Sequence, residues 1–408
     1  MKAQILRARA GTLAALAVGL TGCGSGDDVS RFNVPNSVVI ADLNGDGAPD
    51  LAVATTAAAA DGSQPNPGFA SIFLQNASSR GSFAGGKHYG TDNNPSSIAA
   101  GDLTGTGTTD LVVANFAAGN VSVLLQTSAG SGQYQNAMNV STGGNPNDVV
   151  IADVNGDGRN DIIAADSATS GRVVILLQDP SNAAHFLTPV VLATTNAAAS
   201  VAVGDLNGDG EPDVVAATAD VNGNNGAILV FYQDPANPGT FLSPVTFAGG
   251  AQPSSVKIAD LNGDSLPDLA VADLGPGSDG TGASGATVLM QDPANPGSFL
   301  APVTYAAQNG TIHILVADMN GDGKPDLVTA NVGPSPTGSV SVLMHDPTRP
   351  GVFQAAQSFA GFGQPLAVAV ADLNNDGIPD IAVADGDTAT VMYQGTTPGT
   401  FPTIVQLN

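Results

Sequence analysis

Apolar residues in this chain come in short runs broken by Gly, Asn, Asp and Pro. Val38-Val39-Ile40-Ala41 precedes a polar nine-residue segment, and Leu51-Ala52-Val53-Ala54 follows it. The same pairing returns around later segments, with Val149-Val150-Ile151-Ala152 and Val368-Ala369-Val370-Ala371 before and Leu111-Val112-Val113-Ala114 and Ile381-Ala382-Val383-Ala384 after. Runs of four apolar residues between turn signals predict strands. A third run ends on a polar residue, as in Ser71-Ile72-Phe73-Leu74-Gln75 and Thr287-Val288-Leu289-Met290-Gln291. A Pro- and Gly-rich reversal follows, clearest at residues 234–239 and 292–297. An aromatic then lies eight residues beyond the polar one in six cases, from Gln75 and Phe83 to His345 and Phe353, and seven beyond in Gln394 and Phe401. It is expected to open a fourth strand such as Ser243-Pro244-Val245-Thr246-Phe247, where Pro marks an edge, and to pack between repeats.

The polar segment occurs seven times, starting at Asp42, Asp102, Asp153, Asp205, Asp260, Asp318 and Asp372. Four short strands per unit and seven units predict an all-β, seven-bladed β-propeller with four antiparallel strands per blade. One blade cannot bury both of its faces, whereas a closed ring can. Residues 34–408 are assigned to this ring. Residues 29–34 are a candidate extra outer strand, and closure by strand exchange is allowed without being required.

Between the first two strands of each blade the segment reads Asp-Leu-Asn-Gly-Asp-Gly-x-Pro-Asp, with departures. Oxygen donors at positions 1, 3, 5 and 9 suit a hard cation that takes six to eight oxygens, which points to Ca2+ over Mg2+. The absence of sulfur and imidazole argues against zinc or copper. The candidate ligands are Asp42, Asn44, Asp46 and Asp50; Asp153, Asn155, Asp157 and Asp161; Asp205, Asn207, Asp209 and Asp213; Asp260, Asn262, Asp264 and Asp268; Asp318, Asn320, Asp322 and Asp326; and Asp372, Asn374, Asp376 and Asp380. The second copy keeps Asp102 and Asp110 but has Thr104 and Thr106 between them, so binding there is expected to be weak or lost. Gly at positions 4 and 6 lets the chain curl through positive φ; Ser265 and Asn375 replace it in two copies. An EF-hand is excluded because position 12 is never acidic and no helix pattern follows. About six near-identical sites fit a structural ion better than one catalytic centre.

The formal charge of −25 follows this pattern, since 20 of the 36 acidic residues are aspartates of the repeated segment. An acidic surface disfavours nucleic acid as a partner. Gly and Pro number 51 and 27, yet 42% of residues are apolar, which fits a turn-rich β protein better than disorder. Lys2, Arg7 and Arg9 precede an apolar stretch over residues 10–20, so residues 1–22 read as a secretion signal. It ends Leu20-Thr21-Gly22-Cys23, which resembles the lipobox of bacterial lipoproteins and implies lipidation of Cys23, with residues 23–33 as lipidated Cys and tether. Cys23 is the single cysteine, so no disulfide competes for its thiol.

The hairpin with its Leu-Ala-Val-Ala strand, together with Phe83-Ala84-Gly85-Gly86 and Phe247-Ala248-Gly249-Gly250, resembles the FG-GAP or VCBS repeats of integrin α-subunit propellers and bacterial surface proteins. The resemblance implies calcium in the hairpins on one face of the disc, and it leaves activity open. A second ring, Thr55, Asn115, Asp166, Thr218, Asp273, Asn331 and Asp385, is expected to cap turns at the opposite end, with a polar channel mouth as the alternative. The four His fall at unrelated repeat positions, and no Gly-x-Ser-x-Gly or His-Glu-x-x-His occurs. Without Trp and with five Tyr, the chain has few rings on which a sugar could stack. The leading expectation is a non-enzymatic binding or adhesion module, exported and lipid-anchored at the outer membrane or cell surface, whose partner is a protein or extracellular envelope component. A carbohydrate-active lyase or hydrolase and a scaffold subunit of a surface assembly are the alternatives.

Overall fold

In the computed structural model, residues 33–407 are described apart from 58–66, 77, 169–170, 220–225, 277–283, 334–337 and 387. The expected signal and the lipidation site at Cys23 lie outside the described residues. Among those described, 28 strands form seven four-stranded sheets, each built from four consecutive strands. Blade 1 comprises β1 (Asn33–Ala41), β2 (Asp50–Ala57), β3 (Gly68–Phe73) and β4 (Lys87–Gly90), paired antiparallel in chain order. Blades 2 to 7 repeat this over residues 95–141, 146–193, 197–248, 253–306, 311–362 and 365–407. The seven-bladed propeller is therefore the observed fold.

The strands are apolar on both sides because both sides are covered. Side chains alternate across a sheet. On β2, Leu51 and Val53 pack against blade 7, and Ala52 and Ala54 against blade 2. The core is divided accordingly into seven clusters, each joining two successive blades. One of them joins the ends of the chain, setting Val38, Leu51 and Phe73 of blade 1 against Leu373, Ala382 and Val391 of blade 7.

Closure needs no strand exchange, since blade 7 supplies its own outer strand, Thr403–Leu407. The candidate extra outer strand is corrected in part. Asn33 and Val34 extend the innermost strand β1, pairing with Ala57 and Thr56, while residues 29–32 lie outside the described residues. Each innermost strand also carries a one-residue irregularity, as between Pro35 and Ser37. In four blades the extra residue reaches the next blade. Asn36 Nδ2 donates to Pro95 O at 2.8 Å, Ser96 Oγ to Pro146 O at 2.9 Å, Asn147 Nδ2 to Ala199 O at 2.7 Å and Ser254 Oγ to Ile312 O at 2.9 Å.

The recurring aromatic does pack between blades. Tyr89 meets Tyr134 edge to face at 5.4 Å, and Phe247 meets Phe299 at 5.1 Å. It does not open the fourth strand, however. Phe241 forms a lone bridge with Gln233, and the strand starts at Val245. Pro244 intervenes and has no N–H to continue the ladder.

Candidate metal centre in the acidic hairpins

Each acidic segment is the hairpin between the first two strands of its blade, and its second residue anchors it. Leu43, Leu103, Val154, Leu206, Leu261, Met319 and Leu373 are fully or almost fully buried in the inter-blade clusters. The chain then turns out and back through positive φ, 71° at Gly45 and 76° at Gly47. Ser265 and Asn375 adopt the same left-handed conformation, with φ of 70° and 63°, as their positions require.

The first carboxylate organises the turn. Asp42 Oδ1 accepts the N–H of Gly45 at 2.6 Å and of Asp46 at 3.2 Å, and Oδ2 accepts that of Gly47 at 2.8 Å. Asn44 and Asp46 stand beside it: Asn44 Oδ1 accepts the Asp46 N–H at 2.9 Å, and Nδ2 donates to Asp46 Oδ2 at 3.2 Å. Asp46 is exposed, whereas Asp42 and Asn44 are half-buried. The donors are all oxygens on one short turn, which is the chemistry a hard divalent cation takes.

The ninth residue behaves differently. Asp50 is completely buried, with Oδ2 accepting the Leu43 N–H at 3.0 Å and Oδ1 the Gln75 N–H at 2.6 Å. The hairpin and the end of the third strand are thereby tied to one carboxylate. The pair of bonds recurs in every blade, on Asp110, Asp161, Asp213, Asp268, Asp326 and Asp380. Burial, followed by the charges of Asp46 and Asp42, outweighs these bonds and pushes the Asp50 carboxyl up to about 6. The same holds for Asp161, Asp213, Asp268, Asp326 and Asp380. Among the described residues, no three His, Cys, Asp or Glu side chains gather around a common point. The structure thus brings Asp42, Asn44 and Asp46 together and turns Asp50 inward.

Blade 2 separates the two roles. Asp102 still accepts the N–H groups of Thr104, Thr106 and Gly107, and Asp110 still holds those of Leu103 and Gln126. Between them, the hydroxyls of Thr104 and Thr106 bond each other at 2.7 Å. Positions 1 and 9 therefore serve the fold with or without their acidic neighbours. The survival of Asp102 and Asp110 in this copy is the sequence signal for that role.

A further functional set escaped sequence reasoning. Gln75 Nε2 donates to Pro49 O of its own hairpin at 3.1 Å and to Leu373 O of the preceding blade at 2.7 Å, which stitches blade 1 to blade 7. Gln126, Gln178, Gln291 and Gln394 reach Leu43 O, Leu103 O, Leu206 O and Met319 O in the same way. Blade 6 has His345 there. Its Nε2 accepts the Gly351 N–H at 3.0 Å, and its buried Nδ1 meets no partner.

The three aspartates of the second ring cap turns, whereas Thr55, Asn115 and Asn331 bond Ser71, Ser122 and Ser341 on the neighbouring strand. Asp166 accepts the N–H groups of Asn145 and Ala168 and is paired with Arg172 at 3.0 Å. Asp273 accepts those of Ala251, Gln252 and Gly275, and Asp385 those of Gly363 and Gln364. All seven members of this ring are buried, so they present no polar mouth. Ser71 Oγ lies 2.8 Å from His88 Nδ1, a spacing that in a cleft would suggest a nucleophile and its base. Ser71 is 1% exposed, and Ser122 with Asn139 and Ser341 with Ser358 repeat the contact in other blades, so it belongs to a cross-strand polar ladder.

Comparison with known proteins adds the following. A solved structure described as "Structure of Dos1 propeller" is similar at 15% identity with a TM-score of 0.47, over 81% of this chain and 71% of that one. No curated protein matches the chain. The FG-GAP-like repeat matches residues 42–113, 102–164, 153–216, 212–271 and 318–383. Those matches span well over half of the sequence, and the chain belongs to the FG-GAP-like repeat family.

Proposed function

We propose that this chain is an exported, lipid-anchored propeller of the cell envelope, whose acidic hairpins bind calcium for structural ends and whose body is a non-enzymatic binding or adhesion module. FG-GAP repeat propellers serve in general as binding or scaffold modules, and the finer reading rests on the hairpins. One observation carries the ion. Six hairpins each concentrate three aspartates around an Asn amide, with the ninth buried and its carboxyl raised to about 6. A divalent cation at Asp42, Asn44 and Asp46, with a remaining lone pair of Asp50, would neutralise that charge, and the other five hairpins offer the same donors. Calcium would supply no step of a reaction in this role; it would staple a self-repelling turn.

The lipid anchor is supported by the sequence ending in Cys23 and would place the ring at the outer membrane or cell surface. The partner is a protein or extracellular envelope component. The absence of Trp and the burial of Ser71 within its ladder favour binding over carbohydrate cleavage. Calorimetric titration of chelated protein with calcium is expected to give about six ions per chain. Replacing Asn44 and Asp46 by threonines, as blade 2 has, is expected to remove one of them. Heat of binding absent at every calcium concentration would refute the ion reading, and full-length protein that stays out of the membrane fraction would refute the anchor.

A further inference from the structure

The innermost strands of the seven blades surround the axis of the ring, and they carry three ionisable side chains between them: Asp148 in blade 3, Lys257 in blade 5 and His313 in blade 6. Asp148 and His313 stand at one level of these strands, together with Ser37, Ser97, Ser200 and Ser255. Each pairs with the matching alanine of its second strand, Ala165 for Asp148 and Ala330 for His313. Lys257 lies two residues further toward the hairpins. At its level the other blades present Val39, Ala99, Val150, Ala202, Leu315 and Ala369, all apolar.

Hydrogen bonds join the first level from blade to blade. Ser37 Oγ accepts the Ile98 N–H at 3.4 Å, Ser200 Oγ that of Val256 at 3.3 Å and His313 Nδ1 that of Val368 at 3.5 Å, each from the following blade. Asp148 accepts the Ser97 and Ser200 hydroxyls at 2.8 and 2.7 Å, from the blades on either side, and the N–H groups of Val149 and Val201 at 3.0 and 3.3 Å. Two donors on each oxygen fill its lone pairs, so Asp148 serves the ring. Ser254 Oγ, reaching Ile312 O at 2.9 Å, sets blade 5 against blade 6 beside this level.

Two side chains of blade 5 stand outside that network. Ser255 is 1% exposed, and its Oγ meets no partner among the described residues. Lys257 forms no hydrogen bond or ion pair among the described residues. The two pair in unbroken register with Ala272 and Ala270, so they share one face of the strand, about 7 Å apart. Val256 and Ile258 of the other face pack toward blade 4, and Ala259 of the same face toward blade 6. With its second strand on one side and a blade against each face, the strand is open toward the axis, where the half-buried Lys257 meets solvent. A buried hydroxyl and an ammonium that both lack an acceptor call for one from outside the chain.

Both groups donate, so the ligand is an acceptor. One lysine set against one aspartate leaves no surplus charge for a dianion, and the acidic hairpins at that end of the channel add to the repulsion. The apolar level around Lys257 suits a hydrocarbon body. We infer that the central channel binds a small aliphatic monocarboxylate, its carboxylate held by Lys257 with the Ser255 hydroxyl as the nearest unmet donor, and its hydrocarbon against the apolar residues of that level. The site is independent of the hairpin ion and of the protein partner.

The test uses full-length chain in calcium at physiological ionic strength, titrated calorimetrically with butyrate, and with butylamine, butanol and inorganic phosphate as controls. Butyrate is expected to saturate at about millimolar concentration, as suits so small a ligand, and to bind at least tenfold more tightly than each control. Lys257→Met keeps the apolar stem and is expected to weaken butyrate at least tenfold. Ser255→Ala is expected to weaken it severalfold, and the melting temperature of both variants checks that the ring is intact. In the parent chain, saturating butyrate is expected to slow acetylation of Lys257 by acetic anhydride severalfold and to leave Lys87 and Lys324 unaffected, a readout that needs no variant. Absence of saturable butyrate binding, unchanged binding in both variants, or a Lys257 that butyrate fails to protect overturns the proposal. Phosphate bound as tightly as butyrate, or a preference for butylamine or butanol, overturns it too. Each of these failures leaves the calcium titration of the hairpins as it was, so the ion reading stands or falls separately.

Discussion

Asp46 and Asp50 lie four residues apart in one hairpin, and their substitutions should part company when calcium is removed. Asp50→Ala leaves the N–H groups of Leu43 and Gln75 buried without an acceptor. Each unmet donor costs about 1–3 kcal/mol, and relief of a buried, repelled carboxylate offsets part of this, leaving a net loss of about 2–4 kcal/mol. At about 2.1 cal/mol/K of unfolding entropy per residue, a ring of roughly 370 residues gives about 0.8 kcal/mol per kelvin, so Tm falls by about 3–5 °C. That loss is expected already in chelator, and it grows in calcium because Asp50 also offers the ion its remaining lone pair. Asp46→Ala removes an exposed side chain and one of the charges that crowd Asp50. In chelator its Tm should stay within about 1 °C of the parent. In calcium at a hundred times the dissociation constant, one lost ion removes about 2.7 kcal/mol and lowers Tm by about 3 °C. Differential scanning calorimetry in the two buffers reads all four values. Equal losses for the two variants in chelator would refute the division of labour, as would an Asp50→Ala protein that melts like the parent.

Three other outcomes follow from the same geometry. In chelator, the buried aspartates prefer to be neutral in the folded chain, with carboxyls raised from 3.8 to about 6. Their contribution is fully present below pH 3.8 and lost as pH rises through 6, so the metal-free Tm should fall from pH 4.5 to pH 7; a Tm that rises across this window contradicts the assignment. His345→Gln should restore the donor that five other blades direct at the preceding hairpin and relieve the partnerless Nδ1, raising Tm by about 1 °C, and a lower Tm would show that the imidazole is favoured there. Ser265→Gly relieves an L-residue from φ of 70° at the expense of unfolded-state freedom, so chelator-free scans should show a gain of no more than about 1 °C, and a clear loss would show that Ser265 is unstrained.

The blade count and strand order were legible because the acidic hairpin is a punctuation mark of fixed length, and apolar runs on either side leave no room for a helix. The inner strands were legible for the same reason: with both faces covered by neighbours, β2 and its counterparts read as unbroken Leu, Ala and Val. What stayed hidden depends on contacts between blades. Gln75 reads as an ordinary strand end, because its partner Leu373 O is 298 residues away. The sequence starts the fourth strand too early, at the aromatic, since a single Gln233–Phe241 bridge and a true ladder share one local pattern. The ninth aspartate illustrates the deeper ambiguity. A carboxylate that accepts two buried N–H groups and a carboxylate that ligates an ion call for the same residue at the same spacing, and six of the seven copies cannot distinguish them. The seventh can, because blade 2 has given up the Asn and the middle Asp for two threonines while keeping Asp102 and Asp110. There Asp102 still accepts the N–H groups of Thr106 and Gly107, and Asp110 those of Leu103 and Gln126, so both carboxylates serve the fold whether or not an ion is bound. The third and fifth residues of each hairpin are thus the positions at which the proposed ion site can be separated from the fold by substitution.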